Sequence, residues 1–493
     1  MKKLLATLLI LLSLTACRKA CVPETFRELN DTAHIYPEYH EVTIPANIAP
    51  LRFHIEEEGR EFVTRLTADG CQLTFEGRDV CPSLKEWKKL TSGQQSVCVE
   101  IFVKGNDGSW TRMCPFHIYI SPDEINPYLA YRLIAPSYIT YEGLTICQRN
   151  LTNYDERVIY GNMINSTEAE GQCINCHAFQ NYNPERMQFH VRQSMGGTVI
   201  RYDGETRKVD MKTTDSLLSS GVYPAWHPTE KLIAYSTNMT SQLFHTRDVQ
   251  KVEVQDTYSD LILYDLERNE VISLPRDSNR LDCFPSWSPD GRTLYYCSAR
   301  YVPTDTLLPR PHDMTLHYDS LRYNIMARSF DASTRRFGEE QIVFDAASIG
   351  KSATLPRISP DGNWMLFTMA RYGIFHIWHH DADLYLMNLQ TGQTRPLDGV
   401  NSPEVESYHS WSGNGRWIVF SSRRDDGNYT RPFFVHIDAE GHTTKPFEIP
   451  SRVPLYNRQL LRSYNIPEFI DGPVTVSPQE LARVIQRPPL QAH

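Results

Sequence analysis

One short pattern recurs in the second half of this chain and restricts its fold more than any other feature. Four segments line up: Tyr223-Pro224-Ala225-Trp226-His227-Pro228, Phe284-Pro285-Ser286-Trp287-Ser288-Pro289-Asp290-Gly291, Leu355-Pro356-Arg357-Ile358-Ser359-Pro360-Asp361-Gly362 and Tyr408-His409-Ser410-Trp411-Ser412-Gly413-Asn414-Gly415. Each is followed by a hydrophobic strand: Leu232–Tyr235, Leu294–Tyr296, Trp364–Phe367 and Trp417–Phe420. Ser-Pro-Asp-Gly suits a tight turn, because proline presets φ early and glycine accepts φ > 0 at the end. The Trp or Ile before the turn is placed to pack between neighbouring sheets. Repeats spaced some 50–70 residues apart, each about four strands long, predict a β-propeller.

The Trp-Ser-Pro-Asp-Gly form resembles the WD40-like repeats of the TolB family of periplasmic propellers. That resemblance covers residues 205–450, and it implies five or six blades with the mode of closure left open. The first and fourth copies depart from it at the turn, with His227-Pro228-Thr229-Glu230 and Ser412-Gly413-Asn414-Gly415. A solenoid is the other architecture such a repeat allows. The chain holds 26 tyrosines and 31 prolines and lacks long amphipathic helical runs, so the whole reads as mainly β. The expected layout has residues 22–125 as an immunoglobulin-like β-sandwich, built from pieces such as His40–Ile44, Leu51–Ile55, Cys71–Phe75, Val97–Val103 and Phe116–Ile120. Residues 126–200 read as an irregular segment, 201–475 as the propeller and 476–493 as a C-terminal tail.

The beginning of the chain reads as an export signal. Lys2 and Lys3 precede an apolar run from Leu4 to Leu14, too short for a permanent span. Leu14-Thr15-Ala16-Cys17 resembles the lipobox of bacterial lipoproteins, which implies removal of residues 1–16 and lipid on Cys17 as the membrane anchor. Arg18-Lys19-Ala20 offers no aspartate to hold the protein at the inner membrane, so the expected location is the outer membrane, facing the periplasm. The formal charge of −9 argues against a nucleic-acid partner. An exported chain with eleven cysteines is expected to pair some of them. Cys98 with Cys114 and Cys283 with Cys297 flank turns symmetrically; Cys71 with Cys81 is a weaker pairing, and Cys21 and Cys147 have no evident partner.

One motif carries explicit chemistry. Cys173-Ile174-Asn175-Cys176-His177 has the Cys-x-x-Cys-His spacing that resembles the attachment site of c-type cytochromes. The resemblance implies haem c, with Cys173 and Cys176 bonded to the vinyl groups and His177 as proximal iron ligand. The short spacing lets one turn of chain reach both vinyls and the iron. His190 is the nearest downstream histidine for the sixth position, with Met187 and Met195 as alternatives. A Cys173–Cys176 disulfide and a metal knuckle are the other readings of the same residues, although no second ligand pair lies nearby.

His376, His379 and His380 crowd one stretch and His409 lies in the next repeat. Exposed or packed histidines are the ordinary reading, and a channel metal site of the kind found in some TolB-like lyases is the sharper one. No Gly-x-Ser-x-Gly and no phosphate-binding loop is present. Three functions follow: a monohaem electron-transfer lipoprotein with the propeller as docking face for a periplasmic partner, a non-redox scaffolding or binding propeller, and an enzyme with its site in the channel.

Overall fold

The structure is a computed structural model that describes residues 21–135, 143–165, 173–214 and 217–493. Cys17 and its lipobox lie outside the described residues. The chain divides into two compact units, one of residues 1–122 with 450–456 and the other of residues 123–449 with 457–493. Among the described residues no helix is long and apolar enough to cross a membrane.

The first unit is a two-sheet β structure. A seven-stranded sheet is centred on Ser96–Lys104, which pairs with Glu61–Ala68, Trp110–Arg112 and Phe116–Ser121. A smaller sheet joins Ile35–Tyr36, Phe53–Ile55 and Asp79–Val80. Alternation along the central strand buries Val97, Val99 and Ile101 on one face. Phe53 from one sheet meets Phe116 from the other at 6.5 Å between ring centres. The helix Leu84–Thr91 starts at a capping box, with Glu86 N–H donating to Ser83 Oγ at 3.2 Å and Ser83 N–H to Glu86 Oε2 at 2.9 Å. The symmetric placement of Cys98 and Cys114 about their turn does not survive in the register. Cys98 stands opposite His117 on one side and Thr67 on the other, while Cys114 follows the short strand Trp110–Arg112.

The second unit is a six-bladed β-propeller. Blade one joins Tyr128–Ile134, Thr145–Asn150 and Glu156–Gly161 to Ser463–Ile470, so a late strand completes an early blade. Blade two is Cys173–Phe179, Arg186–Arg192, Gly197–Tyr202 and Glu205–Asp210. Blades three to six begin at Val222–Trp226, Arg280–Trp287, Ser352–Ile358 and Glu406–Trp411. The strands Leu232–Phe244 and Val252–Asp265 of blade three are long enough that Ser259 pairs with Leu281 of blade four. The described residues of 126–200, expected to be irregular, thus supply strands to blades one and two. The expected tail is also part of the fold: helix Pro478–Gln486 packs on blade two, and Leu490–Gln491 pairs in parallel with Val209–Asp210.

A single backbone device sets the first strand of every blade. Cys176, Tyr223, Phe284, Leu355, Tyr408 and Ile466 all have φ between 48° and 56°, in the left-handed region. At each of them the pairing register breaks, for example between Asn175 and Ala178 and between Val222 and Ala225. Two residues then oppose one on the neighbouring strand, which is a β-bulge. Non-glycine residues in this conformation cost about 1–3 kcal/mol each and persist where packing over-determines them. The turn beyond the bulge is equally repetitive. Ser288 Oγ donates to Asp290 Oδ1 at 2.6 Å and accepts from Thr293 N–H at 3.0 Å; Ser359 with Asp361 and Ser412 with Asn414 repeat the first bond at 2.6 and 2.7 Å.

Candidate functional site

Superposing the six bulges brings the whole repeat into view. The residue after the bulge is Pro224, Pro285, Pro356 and Pro467 in four blades, and His177 and His409 in the other two. The next is Ala178, Ala225, Ser286 and Ser410 in four blades, and Arg357 and Glu468 in the remaining pair. The residue after that is an aromatic or Ile, and where it is tryptophan its ring reaches the preceding blade. Trp226 Nε1 donates to Ala178 O at 3.2 Å, Trp287 to Ala225 O at 3.1 Å and Trp411 to Arg357 O at 3.0 Å. Each tryptophan therefore ties one blade to the backbone of its neighbour at the position that faces the channel.

These residues surround a cavity of about 430 Å³ at the channel mouth on the side of the repeat turns, within the ordinary range for small-ligand sites. All six bulge residues reach its lining, together with Arg357, Glu468, His177 and His409. Two of its lining rings, Tyr223 and Phe284, meet at 4.6 Å, and Phe375 sits 5.8 and 5.7 Å from them. Arg357 donates to Pro356 O at 3.2 Å, and Glu468 Oε1 accepts from Phe179 N–H at 3.1 Å. Burial pushes the Glu468 carboxyl up to about 8, against the lowering effect of the Phe179 N–H and the Arg357 charge. At neutral pH the cavity therefore holds a guanidinium and a largely protonated carboxyl.

The cysteine–histidine motif is the first strand of blade two. Cys176 takes the bulge and His177 the position that is proline in four other blades. The His177 ring is bonded to the backbone of Ile466, and its Nε2 is buried without a partner; burial, aided by Arg132, depresses it to about 3. Cys176 is buried and its thiol is pushed up by desolvation, partly offset by Arg192 and Arg132. Cys173 lies outside the cavity lining, paired with Arg192 and accepting Asn175 Nδ2–H at 3.0 Å. Two residues of extended strand, Ile174 and Asn175, set the Cα atoms of the two cysteines about 10 Å apart, not the single turn on which the haem expectation rests. The bare Nε2 of His177 suits an iron ligand, but the two thiols as placed do not fit one porphyrin edge. His190 sits on the next strand with Nδ1 3.2 Å from Thr198 Oγ1, and neither it nor Met187 nor Met195 lines the cavity.

The remaining histidines go to separate partners. His376 Nδ1 is 3.0 Å from Thr354 Oγ1, His379 Nε2 is 3.2 Å from Glu253 Oε2 and His380 Nδ1 is 2.5 Å from Glu404 Oε2. His409 Nε2 donates to Leu366 O at 3.0 Å, and burial depresses it to about 3. Among the described residues no group of three or more His, Cys, Asp or Glu side chains is placed to hold a metal ion. Arg357 and Glu468 were not singled out by the sequence. Arg357 stands in a repeat that was recognised, and its contrast with Ala225, Ser286 and Ser410 was the available signal. The repeat holding Glu468 lacks the Ser-Pro-Asp-Gly turn that marks the others.

No protein-family model matches this chain. No curated protein matches it. Solved structures similar to it include a puromycin hydrolase (11% identity, 65% of this chain and 45% of that one, TM-score 0.35). A luciferin-regenerating enzyme is similar at 10% identity over 66% of this chain and 87% of that one, TM-score 0.37. Oligogalacturonate lyase from Vibrio parahaemolyticus is similar at 11% identity over 65% of this chain and 96% of that one, TM-score 0.33. This chain spans less than half the length of the puromycin hydrolase that it matches.

Proposed function

We propose that this protein is a non-redox binding propeller, of the TolB-like kind its repeats resemble, that takes a ligand into the channel mouth. The observation that carries the reading is the pair of departures from the repeat. Four blades present Ala or Ser to the cavity, which keeps the mouth open, and two present Arg357 and Glu468. Pseudo-symmetric packing needs neither polar group, and a half-buried guanidinium or carboxyl costs stability unless something uses it. The rigid ring of blades positions both groups, and lipid on Cys17 would hold the domain at the membrane of the cell envelope.

The test is a thermal-shift and titration screen of the full chain against paired short peptides and small organic acids and amides. Ser286→Trp, which fills the cavity from a position where neighbouring repeats carry only small or polar side chains, is the control. At least one probe should bind the native chain and fail to bind the Ser286→Trp variant. No binding across the panel, or binding that ignores Ser286→Trp, overturns the proposal. A covalent haem is the second reading, favoured by the unpartnered Nε2 of His177. Protein made beside haem-attachment machinery that shows a Soret band, lost in His177→Pro, would put that reading in its place.

A further inference from the structure

We propose that the channel mouth selects ligands that carry a carboxylate, seated between the Arg357 guanidinium and the Glu468 carboxyl, over their neutral amides. This rests on the binding reading above and names the chemistry of the same site.

Among the described residues Arg357 has no acidic partner within ion-pair distance, unlike three other arginines of the propeller. Arg201 pairs with Glu185 at 2.6 Å, Arg335 with Asp265 at 3.2 Å and Arg424 with Glu406 at 3.0 Å. The hydrogen bond of Arg357 to the described residues goes to its own neighbour Pro356. A guanidinium has five N–H donors in a planar fork and stays charged at every physiological pH, so most of its donors are available to a ligand. Glu468 would be the natural counter-ion, since both side chains line the cavity. Instead it takes the Phe179 N–H on Oε1, and no ion pair forms between the two. Burial favours its protonated form. A protonated carboxyl supplies an O–H donor, so both groups would donate to an incoming anion and neither would repel it. A bound carboxylate would accept from the Arg357 fork and from the Glu468 O–H, the arrangement in which charge-assisted hydrogen bonds are strongest.

The walls set the rest of the ligand. Trp287, Trp411, Phe179 and Tyr182 line the same cavity, and their three polar handles are already used: Trp287, Trp411 and Tyr182 all donate to backbone carbonyls. Ring faces are what remains for the ligand, which suits an aromatic or apolar body attached to the acid. Such a group is found both on a free aryl acid and at the C-terminus of a peptide ending in an aromatic residue.

The experiment is isothermal titration of the full chain with N-acetyl-L-phenylalanine and its carboxamide, and with a tripeptide ending in phenylalanine as acid and as amide. Each acid that binds should do so at least about tenfold more tightly than its amide, as expected for one charge-assisted bidentate contact. Arg357→Gln should erase that ratio while leaving the melting temperature near the native value, and Arg357→Lys should retain part of it. The single amino acid and the tripeptide separate a free acid from a peptide terminus as the source. Equal affinity for acid and amide, a preference that survives Arg357→Gln, or no binding of either pair overturns the inference. Equal affinities that both vanish in Ser286→Trp would leave the channel-mouth site standing and remove only the carboxylate selectivity.

Discussion

Arg357 and Glu468 occupy the same position of the propeller repeat in two blades that flank blade six, and both line the channel mouth without forming an ion pair. Opposite charges sharing a cavity would ordinarily neutralise one another. Here the acid is held protonated by its surroundings, so the arginine keeps its charge for something else. That relationship has consequences for stability as well as for binding.

Glu468 should make the protein less stable as the pH rises. Its carboxyl titrates near 8 in the folded chain, against 4.5 as the ordinary value, with burial as the largest cause. A folded state that holds its proton more tightly than the unfolded state is favoured fully below about 4.5 and loses that advantage as the pH climbs through 8. The melting temperature of Glu468→Gln, taken relative to the native chain, should therefore be near zero at pH 4.5 and positive at pH 8.5. A difference that stays flat across this window would show that the carboxyl is already ionised at neutral pH.

His177 carries the opposite sign. Burial depresses its imidazole to about 3 from 6.5, so the folded state binds fewer protons than the unfolded one between those values. Its contribution is present above pH 6.5 and is lost as the pH falls toward 3. Four other blades carry proline at this position, so the backbone already accepts the ring geometry of His177→Pro. At pH 7.5 the variant should melt a few degrees lower, because the ring's hydrogen bond to Ile466 is gone. At pH 4.5 it should melt at or above the native chain. Circular dichroism melts at the two pH values check both signs.

Three of the four blades that the sequence displays have turns built on Ser, Asp or Asn and Gly in a fixed order, and the fourth keeps the Pro-Ala-Trp-His-Pro run before its turn, local signals needing no knowledge of the rest of the chain. Blades one and two were hidden for different reasons. In blade two, Cys176-His177-Ala178-Phe179 replaces Tyr-Pro-Ala-Trp, and its cysteines carried a stronger chemical association than its pattern did. Only its pairing with Arg186–Arg192 exposes it as a strand. Blade one is completed by a strand remote in sequence, since Leu129 pairs with Phe469. Contacts of that sequence separation leave no periodicity to read. The candidate site follows the same division: Arg357 could have been found by comparing repeats, whereas Glu468 could not be placed beside it until the ring was seen to close.

The cysteine pairs divide in the same way. Cys283 and Cys297 stand directly opposite on adjacent antiparallel strands of blade four, and both are buried. Directly opposed residues have Cα atoms roughly 4.5–5.5 Å apart, inside the range a disulfide spans. Cys98 faces His117 and Thr67 instead of Cys114. Peptide mapping after mild oxidation of the native protein should recover a Cys283–Cys297 bridge and no Cys98–Cys114 bridge. The reverse yield would overturn the pairing of Cys283 with Cys297.

Closure of the ring makes a further demand on the late strand of blade one. Tyr464 is fully buried there; its ring lies 4.8 Å from that of Tyr131 on the early strand, and its hydroxyl donates to Asn457 Oδ1 at 3.0 Å. Tyr464→Ala removes a large side chain from a site bounded by two strands far apart in sequence, so collapse around the cavity is limited. Truncations of this kind cost about 3–5 kcal/mol. Leu490→Ala, at the exposed edge of blade two, should change stability by less than about 0.5 kcal/mol. Urea unfolding of the two variants distinguishes them, and hydrogen exchange adds the mechanism. If closure holds the ring together, Tyr464→Ala lowers protection in the first strands of all six blades at once. Loss confined to blades one and six would instead make each blade its own cooperative unit, with the late strand serving only its neighbours.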